Sequence, residues 1–331
     1  MINSLVSIIV VNWNGRNLLQ DCLGAILDQS YQNYEIIVVD NASQDDSVDF
    51  ITKRYPRVKV ISLKENTGFT GGNITGVNAA SGEFIVLLNN DATLSKDWLH
   101  HMVTALREDN SLGSCSSKII IDGTNKIDSV GDTFTTAFTG TKIGEYQQES
   151  LFEQKCLVPG ACAAAVIYKK EMLDRIGFLD EDFYLNHEDT DLNMRAWLAG
   201  WKCLFVPEAV VYHKVSASIG VLSDTSVYFF SRNNEWVWVK NVPLKYIILK
   251  FPQRVIYELA SFGYFCVLKN KWKPFLRGKF DALKGVRTML KKRKQIQALI
   301  KLSDSEIRGG LVPVLDYLKT RLVTSSWNNL F

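Results

Sequence analysis

Three short polar clusters hold residue types that ligand chemistry needs: Asn12-Trp13-Asn14-Gly15, Asp40-Asn41-Ala42-Ser43 and Asn89-Asn90-Asp91. Each follows an apolar run that reads as a buried strand, at 5–11, 34–40 and 84–88 in turn. A carboxylate at the end of a buried parallel strand stands where open α/β sheets bind their ligands. Any one cluster alone reads as an Asx turn or a helix N-cap. Three on neighbouring strands read as one polar crevice, with Asp40 and Asp91 as its acids. A fourth cluster, His187-Glu188-Asp189-Thr190-Asp191, opens a helix that carries Leu192, Ala196 and Ala199 on one side. Acids there either complement the helix dipole or accept a proton from a substrate, and spacing alone leaves both open. The spacing is not H-E-x-x-H, which excludes a zincin. His213 directly follows a short strand and, taken alone, reads as a structural histidine.

Strand–helix alternation must set these clusters in place. Helices read at 16–30, with Leu19, Leu23, Ile26 and Leu27 on one face, near 45–54 and near 72–80, and a further strand at 58–63. That order predicts a mostly parallel sheet with right-handed crossovers. Residues 65–76 are rich in glycine (Gly68, Gly71, Gly72, Gly76) and read as a turn into a helix or as backbone that approaches a diphosphate. They match neither G-x-G-x-x-G after the first strand nor G-x-x-x-x-G-K-[ST], which argues against a dinucleotide dehydrogenase and a P-loop NTPase. Beyond Asp109 the pattern loosens. Strands at 114–121 and 161–168 flank a poorly periodic stretch, 122–155; helices near 169–176 and 189–200 and short strands at 203–206 and 209–213 follow.

Composition bounds the reading. A chain of 331 residues, 47% apolar and 22% charged, is an ordinary globular protein. Six cysteines without a CxxC pair suit free thiols in a reducing compartment. No signal peptide is expected at the N-terminus, and no apolar run approaches the ~20 residues of a membrane-spanning helix. Charge is unevenly spread: residues 240–331 carry 19 Lys and Arg against 5 Asp and Glu, inside a chain whose net charge is only +3. The tail also mixes aromatic and aliphatic residues with those cations, the composition of an interfacial helix on anionic lipid. In particular, Leu276, Phe280, Leu283 and Leu290 read as one face opposed by Lys279, Lys284, Arg287 and 291–294. Pro252 should interrupt the first tail helix. Nucleic acid is not expected as a partner, because no binding motif is present and an acidic body repels phosphates.

In this order, "VSIIVVNWNG", "IIVVDNASQDDS", "ENTGFTGGNITG", "LLNNDA", "PGACAAAVIYKKEMLDRIGFLDEDF", "HEDTDLNMRAWLAGW" and "VYHKVSAS" resemble an inverting family-2 glycosyltransferase of GT-A fold. The flavour is that of the bacterial rhamnosyltransferase-like subgroup that builds surface polysaccharides. The resemblance covers about residues 5 to 240 and implies a role for each matched position. Asp40 would accept a hydrogen bond from the base of a nucleotide sugar, with Asn12 lining the same pocket. Asn66, Gly68 and Gly72 would hold the nucleotide, and Asn89 and Asn90 would shape the approach to ribose and phosphates. Asp91 matches the last acid of the DxD element, a ligand of Mg²⁺ or Mn²⁺, and His213 a histidine that also contacts the metal. Gly160 and Ala161 would lie near the transferred sugar. Asp189 matches the general base, with Glu188 as its neighbour. Position 89 departs from the pattern: it is Asn, which leaves a single carboxylate at that strand end.

The expectation is therefore a GT-A domain over 1–239, with a nucleotide-sugar half (1–110) and an acceptor half (111–239), and a basic amphipathic helical region over 240–331. The expected reaction moves a sugar, dTDP-L-rhamnose being the donor the subgroup suggests, to a polyprenyl-diphosphate-linked glycan. The expected place is cytoplasmic, on the inner face of the cell membrane. Two rivals are weighed. A sugar nucleotidyltransferase needs a basic glycine-rich signature after the first strand, where this chain has only "NWNGRN", and it gives Glu188 and Asp189 no role. A non-catalytic nucleotide-sugar-binding module would bind donor without turnover.

Overall fold

The computed structural model describes residues 4–215 and 222–327, with side chains described through Thr320. The last residues of the "VYHKVSAS" motif, 216–218, and the end of the tail, 328–331, lie outside the described residues. The first half alternates as expected: β1 (Val6–Asn12), α1 (Arg16–Leu27), β2 (Tyr34–Asp40), α2 (Ser47–Arg54), β3 (Lys59–Ser62), α3 (Gly68–Asn78) and β4 (Phe84–Asn89). β1 pairs in parallel with β2 and β4, and β2 with β3. Helices cover both faces of such a sheet, so Ile8, Ile9 and Val10 in succession have no exposed surface. On α1, Leu19, Leu23 and Ile26 are buried, but Leu27, expected on the same face, is exposed. It stands on the last turn, at the edge of the stripe.

The chain continues through β5 (Ala92–Leu94), α4 (Trp98–Glu108), β6 (Leu112–Ile121), β7 (Ile127–Ser129), β8 (Asp132–Thr135), β9 (Gly140–Lys142), β10 (Cys156–Val158), β11 (Ala165–Lys169), α5 (Lys170–Ile176), α6 (Glu188–Leu198) and β12 (Lys202–His213). The main sheet runs β10-β12-β6-β11-β4-β1-β2-β3. β11 enters antiparallel to both β4 and β6, so the sheet is parallel on one side and mixed on the other. The two strands expected at 203–206 and 209–213 are one, β12, with a shift of register between Val206 and Val210. The aperiodic stretch 122–155 holds β7, β8 and β9, each too short to show a period.

After β12 come α7 (Asp224–Asn241), only the last two residues of which belong to the tail, and then the tail's α8 (Leu244–Leu249), α9 (Phe251–Phe262), a π-helical turn Gly263–Leu268, α10 (Trp272–Gln297), α11 (Asp304–Gly309), β13 (Leu311–Val312) and α12 (Val314–Trp327). The 239/240 division falls inside α7. The helix breaks at Lys250, two residues before Pro252. α10 buries Phe275, Ala282, Met289 and Ile296, and at Gly278 a Cβ would stand 2.5 Å from the Tyr228 carbonyl of α7. β13 pairs with β8, tying the tail's end to the body. Some of the tail's cations also turn inward: Lys240, nearly fully buried, lies 2.5 Å from Asp180 and 2.8 Å from Asp191, and Lys292 pairs with Asp180 and Asp182. Part of the tail's positive charge is therefore neutralised by the acidic body itself.

Candidate active site

Parallel pairing brings the ends of β1, β2 and β4 side by side, and a chain of buried amides joins them. Asn90 Nδ2 donates to Asn12 Oδ1 at 2.9 Å, and Asn12 Nδ2 donates to Asp40 Oδ1 at 3.2 Å. The Ser43 amide donates to Asp40 Oδ2 at 3.0 Å. Asn12 and Asp40 are 0% and 2% exposed. Asn12, Asp40 and Asn90 thus tie the three strand ends together from within, while Trp13, next to Asn12, is exposed. The glycine-rich turn is fastened to the same edge. Asn41 Oδ1 accepts from the Thr67 amide and its Nδ2 donates to the Gly68 carbonyl, while Asn66 Oδ1 accepts from the Gly68 amide. The Thr70 amide donates to the Tyr184 carbonyl. These amides at the start of α3 are bonded within the protein, as a turn into a helix requires. At Gly72 the absent Cβ would lie 2.7 Å from Val11, so glycine there lets α3 pack closely on β1. Gly68 adopts φ +74°, and a Cβ on it would meet the Tyr184 carbonyl at 2.4 Å.

Asp91 and His213 come together through strand register. β5 pairs antiparallel with β12, Ala92 opposite His213, and the Lys214 amide donates to the Asp91 carbonyl. His213 Nε2 lies 3.1 Å from Asp91 Oδ1 and 3.4 Å from Asn89 Nδ2. Its Nδ1 lies 2.9 Å from Asp128 Oδ2, and Asp128 Oδ1 lies 2.5 Å from Lys142 Nζ. Burial works against a charged imidazole, yet hydrogen bonds to Asp128 and Asp91 push His213 up to about 9. Among the described residues no group of three or more His, Cys, Asp and Glu side chains forms a metal cage. One carboxylate and one imidazole fit a cation that takes its remaining oxygen ligands from a diphosphate and water.

The second acidic end lies at the start of α6. Asp189 is half-buried; its Oδ1 accepts from the Thr190 amide at 2.6 Å, and the Ala163 amide also bonds to it. Burial raises its pKa against the pull of those amides and of Lys142. Glu188, nearly fully buried, has an Oε2 without a hydrogen-bond partner and is pushed up to about 8 by burial and the neighbouring Asp189 charge. Asp191, by contrast, is a structural ion. It is fully buried between Lys240 and Arg195, which hold it at about 2 despite burial. Gly160 and Ala161 flank this end: Asn193 of α6 bonds to both polar groups of the Ala161 backbone and to Asp132. Asp132, facing Lys142 across β8 and β9, is held well above the carboxylate range by burial and by the charge of Asp189. Contacts thus run from Asp91 through His213 and Asp128 to Lys142, and Lys142, opposite Asp132 in the β8–β9 pairing, acts electrostatically on Asp189.

Residues 7–177, just over half of the chain, match the family described as "Glycosyl transferase family 2". The chain belongs to that family. It is 28% identical over 234 residues to "Uncharacterized protein y4gI" of Sinorhizobium fredii, covering 65% of this chain and 25% of that one. It is 23% identical over 256 residues to the poly-beta-1,6-N-acetyl-D-glucosamine synthase of Staphylococcus epidermidis, covering 75% and 60%. Among solved structures it is similar to GalNAc-T7 with UDP, GalNAc and Mn2+, at a TM-score of 0.62 and 17% identity, covering 86% of this chain and 57% of that one. The chain thus spans less than two thirds of each of these relatives. The fold is GT-A.

For this family member, sequence reasoning named Asp91, His213, Glu188 and Asp189, and missed Asp128, Asp132, Lys142 and Asn193. The first three of these missed residues lie on strands of three or four residues, where neither periodicity nor a turn signal marks them. Asn193 sits one turn beyond Asp189 on α6, and helical spacing could have flagged it.

Proposed function

We propose that the protein transfers a sugar, with inversion, from a nucleoside-diphosphate donor to a hydroxyl of a lipid-linked glycan in cell-surface polysaccharide synthesis. Supporting this are the family, the named activity of the staphylococcal relative and the donor nucleotide held by GalNAc-T7. The observation that carries the reading is the run of contacts from Asp91 through His213 and Asp128 to Lys142, whose charge reaches the half-buried Asp189. Asp91 and His213 would hold Mg²⁺ or Mn²⁺, which when bound neutralises charge on the departing diphosphate. Asp189, accessible where Glu188 is not, takes the proton from the acceptor hydroxyl. Burial, by raising its pKa, makes it a stronger base than an ordinary aspartate. Asp40, Asn12 and the turn of Asn66 and Gly68 shape the nucleotide pocket. Gly160 and Ala161 border the sugar, and dTDP-L-rhamnose heads the donors to try.

A panel of nucleotide sugars with Mn²⁺, scored by release of nucleoside diphosphate, tests this reading. Asp189→Asn should lower turnover on the order of 10²- to 10⁴-fold with donor binding intact, and Asp91→Ala should weaken donor binding as well. Near-normal turnover in Asp189→Asn would remove the base assignment; donor binding without turnover in the native chain would favour a binding module.

The tail is proposed to rest on the anionic inner face of the membrane. No helix among the described residues is long and apolar enough to cross a bilayer. α10 instead carries two apolar stripes. One packs on α7; the other, Trp272, Leu276, Phe280, Leu283 and Leu290, is between 44% and 71% exposed. At 100° per residue Arg287 and Lys294 fall within this outer stripe and Lys273 and Lys291 along its edge. Arg287, Lys291 and Lys294, expected on the opposite face, thus share the apolar one, an arrangement suited to lipid headgroups, whereas Lys279 and Lys292 pair with acids of the protein itself. Leu276→Glu with Leu283→Glu should abolish sedimentation with vesicles containing phosphatidylglycerol; unchanged sedimentation would count against the membrane.

A further inference from the structure

We propose that Asp128, anchored by Lys142, is a positioning residue that fixes the His213 imidazole so that Nε2 faces the cation and diphosphate. The proposal rests on the reading of Asp91 and His213 given above. Four observations carry it. Asp128 and His213 are 3% and 6% exposed, so neither can substitute water for the other. Both carboxylate oxygens are committed: Oδ2 lies 2.9 Å from His213 Nδ1 and Oδ1 2.5 Å from Lys142 Nζ. Rotation of the carboxylate would break both contacts at once. The backbone sets the pair without recourse to the side chains, because β6 pairs with both partners, Ile121 opposite His213 and Ile120 opposite Ile127. Finally, the imidazole presents its other nitrogen to Asp91.

The consequence concerns the ring's tautomer. An imidazole ligates through a nitrogen that carries no proton, and the hydrogen bond made by the other nitrogen decides which one that is. An acceptor on Nδ1 keeps a proton there, so the proton that a bound cation displaces is the one on Nε2. Asp128 supplies that acceptor, and Lys142 keeps it aligned. A lone Asn89 in place of a second acid makes this orientation more valuable, since Asp91 and His213 are then the only side chains assigned to the cation.

The test uses the full chain labelled with ¹⁵N-histidine, which contains only four imidazoles. Mn²⁺ affinity is read from the electron paramagnetic resonance of free Mn²⁺ with dTDP or UDP present, and ring-nitrogen shifts are read with Mg²⁺ in its place. Asp128→Asn should weaken Mn²⁺ on the order of 10- to 100-fold and move His213 away from the Nδ1–H tautomer, with its circular dichroism unchanged. Lys142→Met should weaken Mn²⁺ by a smaller factor. If Asp128→Asn binds Mn²⁺ as tightly as the native chain while Asp91→Ala and His213→Ala have lost it, the positioning role is wrong and the metal assignment stands. If Asp91→Ala and His213→Ala also bind normally, the underlying assignment fails. Should Asp128→Asn not fold, the native spectrum decides alone: an Nε2–H tautomer with Mg²⁺ and nucleotide overturns the proposal.

Discussion

Asp91 stands in a turn whose place follows from strand register, whereas Asp189 stands behind a turn that side chains of another helix must hold. On the Asp91 side, β4 leads in, β5 pairs with β12, and the Lys214 amide grips the Asp91 carbonyl. Residues 88–95 themselves take no positive φ. On the Asp189 side, Tyr184, Asn186 and His187 take φ of 63°, 64° and 67°, left-handed values that cost non-glycine residues about 1–3 kcal/mol each. α7 compensates. Asn233 Nδ2 lies within 3 Å of the carbonyls of Phe183, Leu185 and Asn186, and Arg232 donates to those of Asp182 and Phe183. One acid is thus placed by the sheet, and the other by the C-terminal helices through side chains that could be removed one at a time. α7 itself spans the boundary that composition draws at 239/240.

Asn233→Ala should break this arrangement most severely. It strands buried carbonyls in a strained turn, at a cost of about 3 kcal/mol, measured by urea denaturation. Turnover should fall with donor KM little changed, because the sheet still holds the Asp91 end; an equal rise in KM would show that the two ends move as one. Gly68→Ala should be milder, about 2 kcal/mol from the left-handed φ and the approach to the Tyr184 carbonyl. Because Tyr184 touches both the glycine-rich turn and the strained one, this substitution should raise donor KM and lower turnover together. A change confined to one of them would sharpen the contrast.

The same difference explains what could be read from the sequence. β1, β2 and β4 bury continuous apolar runs, with α1, α2, β3 and α3 alternating between them, and both the order and the polar strand ends were legible. Asp91, Glu188, Asp189 and His213 were legible only because their neighbours form family motifs; nothing in local spacing joins Asp91 to His213. Asp128 and Lys142 were not legible at all, since their strands are three residues long and are held by pairing partners distant in the chain. Asn233 lies in a helix of ordinary composition, and its role exists only once the α6 turn is in place. The tail's charge was counted correctly but given to solvent and lipid alone, because sequence cannot say that Lys240 and Lys292 lie against Asp180.

The smallest effect concerns Glu188, the acid that the strained turn buries beside the accessible Asp189. Its native pKa, about 8, lies above the ordinary glutamate value, so the native chain keeps the proton that the unfolded chain releases. The unfolded state therefore gains ground as pH rises from the ordinary value toward 8, and the loss levels off above that. Glu188→Gln has no proton to release and escapes this drift. Its stability relative to the native chain should improve by about 1 kcal/mol between pH 6 and pH 7, read as a widening gap in urea midpoints. Above pH 8 the gap should become constant. A gap that stays flat across pH 6 to 7 would mean that Glu188 is ionised in the folded protein, and that the turn admits more water to this acid than its burial implies.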